Sequence, residues 1–461
     1  MKRTATRYLP ANPLFSGIDL RRLILPLVIE QILAITVGMA DTMMISSVGE
    51  AAVSGVSLVD MINVVIINIF AAMATGGAVV TSQLIGARRQ DEARASAGQL
   101  LLLCAALALA VMGLTLLLKR PLLRLFFGSI ERDVMENALT YLFYSALSFP
   151  FLAVYNACAA LFRSKGNSKI SMQVSALMNL LNLGGNALLI FVFHLGVAGA
   201  AISTLVSRIV AAGLMLALVT RPTDMLYVER KFPRPDFRLM RRILRIGVPS
   251  GLENSFFQLG RVLVVSMIAL FGTVQIAANA VANNIDALGC IPGQAMNLAI
   301  ITVVGRCVGA GDWRQAVYYI KKLLKITYLC TILLNTALLL SLPLLLNIYQ
   351  LSGETLHLAY ILIFIHNGCA MLLWPLSFTL PNALRAANDV RFTMVVSIFS
   401  MAAFRIAFSY VLCVFCGWGA VGVWIAMVMD WLFRVALFTW RMKSGKWKQF
   451  RLSDEPTGAV A

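Results

Sequence analysis

Twelve apolar runs, each long enough to cross a bilayer as a helix, leave this chain few folds to choose from. A spanning helix needs about 20 mostly apolar residues. The runs lie at 23–48, 51–80, 96–118, 137–162, 170–193, 197–220, 243–270, 276–304, 316–346, 358–384, 392–415 and 419–440. In hydrocarbon, backbone polar groups must be satisfied within the protein, so runs of this length are predicted to be helices. The expected fold is an all-α polytopic membrane protein with twelve transmembrane helices. A 59% hydrophobic content agrees, as does a mean hydropathy of +0.82. LILPLVIEQ continues into a full span without a short apolar core and cleavage site, so no cleavable leader is expected.

A net charge of +18 invites a nucleic-acid reading, but the distribution follows membrane topology. Of 39 Lys and Arg residues, 31 fall in segments, or in the ends of spans, on the side of the N-terminus. Four (Lys119, Arg120, Arg124, Arg132) fall on the opposite side, and four (Arg208, Arg261, Arg405, Arg434) lie deep inside spans. By the positive-inside rule both termini are cytoplasmic, in a multi-pass protein of the cell's inner (plasma) membrane. No nucleic-acid partner is expected. Trp447, in RMKSGKWKQFR, reads as an interfacial anchor. The eight cysteines lie in or beside apolar runs and form no extracellular disulfide framework; Cys413 and Cys416 read as helix packing. No GxxxxGK[ST] loop occurs, so no nucleotide is expected to supply the energy.

The chain also repeats itself. LPLVIEQ over GVPSGLEN places Pro26 on Pro249 and Glu30 on Glu253, an offset of 223 residues. The same offset places Gly86-Ala87 on Gly309-Ala310, and Gly196 and Gly199 on Gly419 and Gly422. One residue slips where LFRSKGNSK meets ALRAANDVR. The chain therefore divides into a cytoplasmic segment 1–22, an N-lobe 23–220, a linker 221–242, a C-lobe 243–440 and a tail 441–461. Six spans per copy is an even number, so the two six-helix lobes are related by a pseudo-two-fold axis along the membrane normal.

The polar residues inside the spans mark candidate sites, because an ionised Asp at mid-bilayer costs roughly 2.5–3.5 kcal/mol or more. The first span holds Pro26, Glu30 and Asp41. Pro26 removes one helix hydrogen bond and makes a kink possible. Asn179, Asn182 and Asn186 share a face of the fifth span, and Ser203, Thr204 and Ser207 share a face of the sixth. With Asp41 they compose an acid among neutral oxygen and amide groups, able to hold a proton or a small hard cation. The repeat shows which of these belong to one lobe: Asp41 falls on Val264, Asn182 on Arg405, Asn186 on Ser409 and Ser207 on Asp430. Arg405 and Asp430 read as a structural ion pair, with Arg434 four residues beyond Asp430. Glu30, Glu253, Met39, Asp60, Asn179 and Asp286 are candidates to line a substrate cleft. Met39 belongs to a deformable, Met-rich stretch. Only His366 of three histidines lies mid-span, and no metal centre is expected.

The PLVIEQ…ADT pattern, the GARR loop, LFRSKGNSK, MNLLNLGGNALLIF and GVAGAAISTLVS, several of them duplicated, resemble the MATE (multidrug and toxic compound extrusion) family, its DinF-like branch included. The resemblance covers Leu20 to Arg441. It implies a V-shaped twelve-helix exporter of small organic, often cationic, drug-like compounds, working by alternating access against inward protons or sodium. It also implies that Asp41, Asn182 and Thr204 form the cation site and that helix 1 bends at Pro26. The family's second acid is Asn186 here, and one carboxylate suits a proton better than sodium. Sodium coupling is the alternative, as is a lipid-linked glycan flippase of the same superfamily, which the four intramembrane arginines would suit. No nucleophile-base constellation points to an enzyme. No cofactor is expected beyond the coupling ion, and a monomer in the lipid bilayer is expected.

Overall fold

The computed structural model describes residues 12–128, 131–222, 226–229, 234–349 and 351–449, which contain helices and no strand. The helices are α1 Gly17–Ser46, α2 Glu50–Gly86, α3 Gln90–Phe127, α4 Arg132–Ser164, α5 Ser168–Val192 and α6 Gly196–Val219. The second copy follows as α7 Phe237–Ala269, α8 in two pieces (Thr273–Gly289 and Ile291–Gly309), α9 Trp313–Leu340, α10 Gly353–Ala386, α11 Val390–Phe415 and α12 Gly419–Ser444. All but α7 contain a helix long and apolar enough to span a membrane. The sequence of α7 carries Arg238, Arg241, Arg242, Arg245, Glu253 and Arg261.

Local chemistry sets several helix ends. Ser16 and Asp19 form a reciprocal capping box at the start of α1, with bonds of 3.1 and 2.8 Å. Those bonds hold the Asp19 carboxyl below its ordinary range. Asp236 caps α7 by accepting from the backbone of Arg238 and Leu239. The span expected as one helix over 276–304 is broken at Cys290, because Pro292 cannot donate to the preceding turn. Asn335 of α9 donates to the Gly289 carbonyl at 3.1 Å.

The repeat is visible in the backbone. Left-handed φ angles recur in pairs: Gly49 and Gly272, Arg88 and Gly311, His194 and Gly417, Gly196 and Gly419. Gly166 and Asn388 form a fifth pair, one residue out of step, at the slip read from sequence. π-helical turns close α5 at Ala187–Val192 and α11 at Val411–Phe415.

The lobes meet through α2, α7 and α8. At the centre of that contact, a Cβ on Gly86 would collide with the Arg306 backbone, and one on Gly309 with the Gln83 backbone. The quartet is its own image under the repeat. Its hydrogen bonds are images too: Gln83 Nε2 donates to the Ala386 carbonyl at 2.8 Å, and Arg306 donates through two nitrogens to the Ser164 carbonyl at 3.0 and 2.5 Å. An N-terminal strap adds further contacts, since Gln315 of α9 accepts from Leu14 and donates to the Asn12 carbonyl, and Tyr319 accepts from Phe15; Gln99 of α3 holds Asp236 and Arg234 in the same way ahead of α7. These hydrogen bonds cluster at the end that bears the chain's described termini and the GARR loop. They tie the lobes together there.

Trp447 corrects one expectation. It lies in a short turn after α12, fully buried, with its indole N–H donated to the Met442 carbonyl at 3.1 Å and its ring edge-on to Trp313 at 5.5 Å. The ring serves the protein core instead of the bilayer interface.

Candidate functional site

In the N-lobe, three helices bring four of the predicted residues to one point. Asn186 of α5 donates to Asp41 Oδ1 of α1 at 2.7 Å. The Asn182 amide is assigned from its neighbours: its NH2 faces both Asp41 oxygens at 3.0 Å, and its oxygen accepts from Thr204 Oγ1 of α6 at 3.0 Å. Ser203 fixes α6 against α5 by donating to the Asn182 carbonyl at 2.8 Å. The face of Asn and Ser/Thr residues is thus a continuous polar seam, and Asp41 closes it. Asn182 and Asn186 are buried, and the Asn186 amide oxygen has no hydrogen-bond partner among the described residues. Asn186 is also the last residue before α5 widens into its π-helical turn, an arrangement common where helices carry function.

Asp60 of α2 belongs to the same neighbourhood, within electrostatic range of Asp41 and of Arg208. Asn63, the residue one turn on, donates to Asp60 at 3.4 Å. Arg208 donates to Ser148 at 2.7 Å. Sequence reasoning marked Arg208 only as an intramembrane charge; its position four residues after Thr204 already placed it on the same helix face. Met39 is half-exposed beside the acid on α1, and Asn179 is partly buried one turn before Asn182. Glu30 lies three turns away and accepts from Ser171 of α5 at 3.1 Å, within electrostatic range of Arg163. Pro26 is buried within a continuous α1.

The C-lobe encloses something different, a cavity of about 510 Å³ lined by Glu253, Asp286 and His366, by Arg261, Arg385, Arg405 and Arg434, and by aromatic and amide side chains. Glu253 and Asp286, both predicted to line a cleft, are here, each with a partner that sequence reasoning missed. Arg385 meets Glu253 at 2.6 Å, and His366 meets Asp286 at 3.1 Å with its ring edge-on to Trp424 and Trp431. The slip in the repeat carried the signal for Arg385, because it pairs Arg163 with Arg385 as the offset pairs Glu30 with Glu253.

The predicted ion pair between Arg405 and Asp430 does not form. Asp430 is fully buried and meets Arg434 at 2.9 Å, one turn along α12, and it also accepts from Ser400. The shared helix face makes Arg434 the nearer partner. Arg405 instead lies over the Phe257 ring at 5.9 Å, and its buried Nε has no partner among the described residues.

Comparison with known proteins agrees with this architecture. The MatE family model matches residues 26–188 and again residues 249–411, one match per repeat. YisQ of Bacillus subtilis (strain 168), an uncharacterised transporter, is 28% identical over 450 residues, 95% of this chain and 96% of that protein. A probable multidrug resistance protein, NorM of Thermotoga maritima, is 26% identical over 438 residues, 94% of this chain and 93% of that one. An outward-facing structure of a MATE-family multidrug resistance transporter has the same fold, with a TM-score of 0.87 at 20% identity, covering 94% of this chain and 96% of that chain.

Proposed function

Since the chain belongs to the MatE family of multi-pass membrane transporters, we propose that it exports small organic compounds from the cytoplasm in exchange for protons, with Asp41 as the switch. The observation that carries this reading is the Asp41 carboxylate gathered by two amides of α5, one of them in turn fixed by the Thr204 hydroxyl of α6. Ionised, Asp41 is held by the NH2 groups of Asn182 and Asn186. Protonated, it loses the charge those groups bind and gains an O–H that needs an acceptor. Asn182 supplies one by turning its amide, and Thr204 then accepts where it had donated. A proton thereby changes how three helices are joined. This meets the requirement that the driving ion bind the two states unequally.

In this reading both termini are cytoplasmic, the tied end of the molecule faces the cytoplasm, and the lobes part there to admit substrate. Pro26 lets α1 bend as Asp41 changes charge. The transporter works as a monomer and needs no cofactor besides its coupling ion. A second reading, sodium coupling, is favoured by the unpartnered Asn186 oxygen beside Asp41, since sodium prefers oxygen ligands.

Efflux of a fluorescent cationic dye from proteoliposomes, under an imposed pH gradient or an imposed sodium gradient, separates these. Proton-driven efflux lost in Asp41→Asn is the expected result. Proton-driven efflux that survives in Asp41→Asn refutes the switch, and efflux driven by sodium alone transfers the coupling to that ion. No transport under either gradient refutes the export reading.

A further inference from the structure

The N-lobe site is built around an acid and the C-lobe cavity is rich in arginines, and only the first has been given a task. Around the C-lobe cavity and its immediate shell, four arginines stand against three carboxylates, and each carboxylate is engaged. Glu253 is held by Arg385, Asp286 by His366, and Asp430 by Arg434. Arg261 and Arg405 are left, with no ion pair or hydrogen bond among the described residues, and both line the cavity. The Nε of Arg405 is buried and unsatisfied. A buried guanidinium nitrogen without a partner, as in Arg405, is costly, and unpaired intramembrane charges such as these mark binding sites.

The repeat shows that this polarity is built in. Arg405 occupies the position at which the N-lobe presents Asn182 to Asp41, and Val264 occupies the position of Asp41 itself. The C-lobe has lost the acid and placed a cation facing the space. The walls suit an organic body: Trp374, Phe378, Trp424 and Trp431 line the same cavity. Its 510 Å³ falls in the range of small-molecule pockets, roughly 300–1,000 Å³.

We propose that the C-lobe cavity is a binding site for organic anions, in which Arg261 and Arg405 receive a carboxylate, sulfonate or phosphate group and the tryptophans and Phe378 receive its apolar body. The site deepens the export reading and rests on it for the direction of transport, whereas its occupancy can be measured with no gradient present. The anionic group has two sources, a free organic acid or a lipid headgroup.

The test is equilibrium dialysis of three near-isosteric ligands, 1-naphthoate, 1-naphthamide and 1-naphthylmethylammonium, against the full chain in phosphatidylcholine nanodiscs at neutral pH. Naphthoate is expected to bind about tenfold tighter than the neutral amide, and the ammonium more weakly than either. Arg261→Gln and Arg405→Gln should each remove most of that preference, and Arg405→Lys should keep part of it. A wild-type protein that does not prefer the acid overturns the proposal without recourse to any variant. So does a preference that survives Arg261→Gln, a change at an exposed side chain with no ion pair or hydrogen bond among the described residues, which is expected to leave the fold intact. Adding phosphatidylglycerol to the nanodiscs identifies the source: displacement of naphthoate supports the site with a lipid occupant, and retention supports it with a free acid. Loss of dye efflux under every gradient would refute the export reading and leave this binding result standing.

Discussion

Replacing Gly86 or Gly309 with alanine should open the tied end of the molecule. Each added Cβ would meet backbone atoms of the facing lobe, Arg306 in one case and Gln83 in the other, and backbone cannot swing aside as the tip of a side chain can. Overpacking of this kind costs about 1–3 kcal/mol. Alanine also stabilises a helix interior by about 0.5–1 kcal/mol relative to glycine, but it does so in every conformation and cancels from the ratio of states. If the lobes separate at this end during the cycle, the steric cost falls on the closed state alone. The equilibrium then shifts toward the open state by a factor of about 5 to 150. Nitroxide labels at Arg89 and Arg314, which flank the contact, read this as a longer distance in pulsed electron double resonance, measured in a background free of native cysteine. Gly113→Ala, in open space on α3, is the control and should change nothing. A Gly309→Ala protein with the wild-type distance distribution and unchanged thermal stability would refute the reasoning.

The remaining expectations concern buried partners. Asp430→Asn leaves Arg434, only 3% exposed, without its carboxylate; it should cost about 3–5 kcal/mol, and adding Arg434→Met should recover most of the loss. Thermal denaturation of the single and double variants checks both statements, and a double variant no more stable than the single would count against the pairing. Trp447→Ala should cost about 3–5 kcal/mol for a ring lost from the core and should speed proteolysis of the C-terminal tail. Wild-type stability and cleavage rate would return Trp447 to the role of a surface anchor.

Much of the candidate site around Asp41 is legible in the amino-acid sequence, for a plain reason. Helical periodicity places Asn182 and Asn186 on one face and Thr204 on another, and the lipid environment makes Asp41 too expensive to stand alone. The internal repeat then separates what is shared, such as Glu30 and Glu253, from what one lobe owns. The same logic misassigns Asp430. Repeat positions say which residues occupy equivalent places, but they do not rank the partners within reach. Arg434, one turn away on the same helix, takes the carboxylate that the repeat offers to Arg405.

Period, length and charge asymmetry in the sequence determined twelve spans, two copies and the membrane as solvent, because each is a local or statistical property of the chain. Whether a charge is paired or left facing a cavity depends on distances between helices far apart in sequence, and only packing decides those. The fold therefore decided that Glu253 meets Arg385 and that Asp286 meets His366. It decided that Trp447 is core. It also decided that two arginines in the C-lobe face a cavity without an ion pair or hydrogen bond among the described residues.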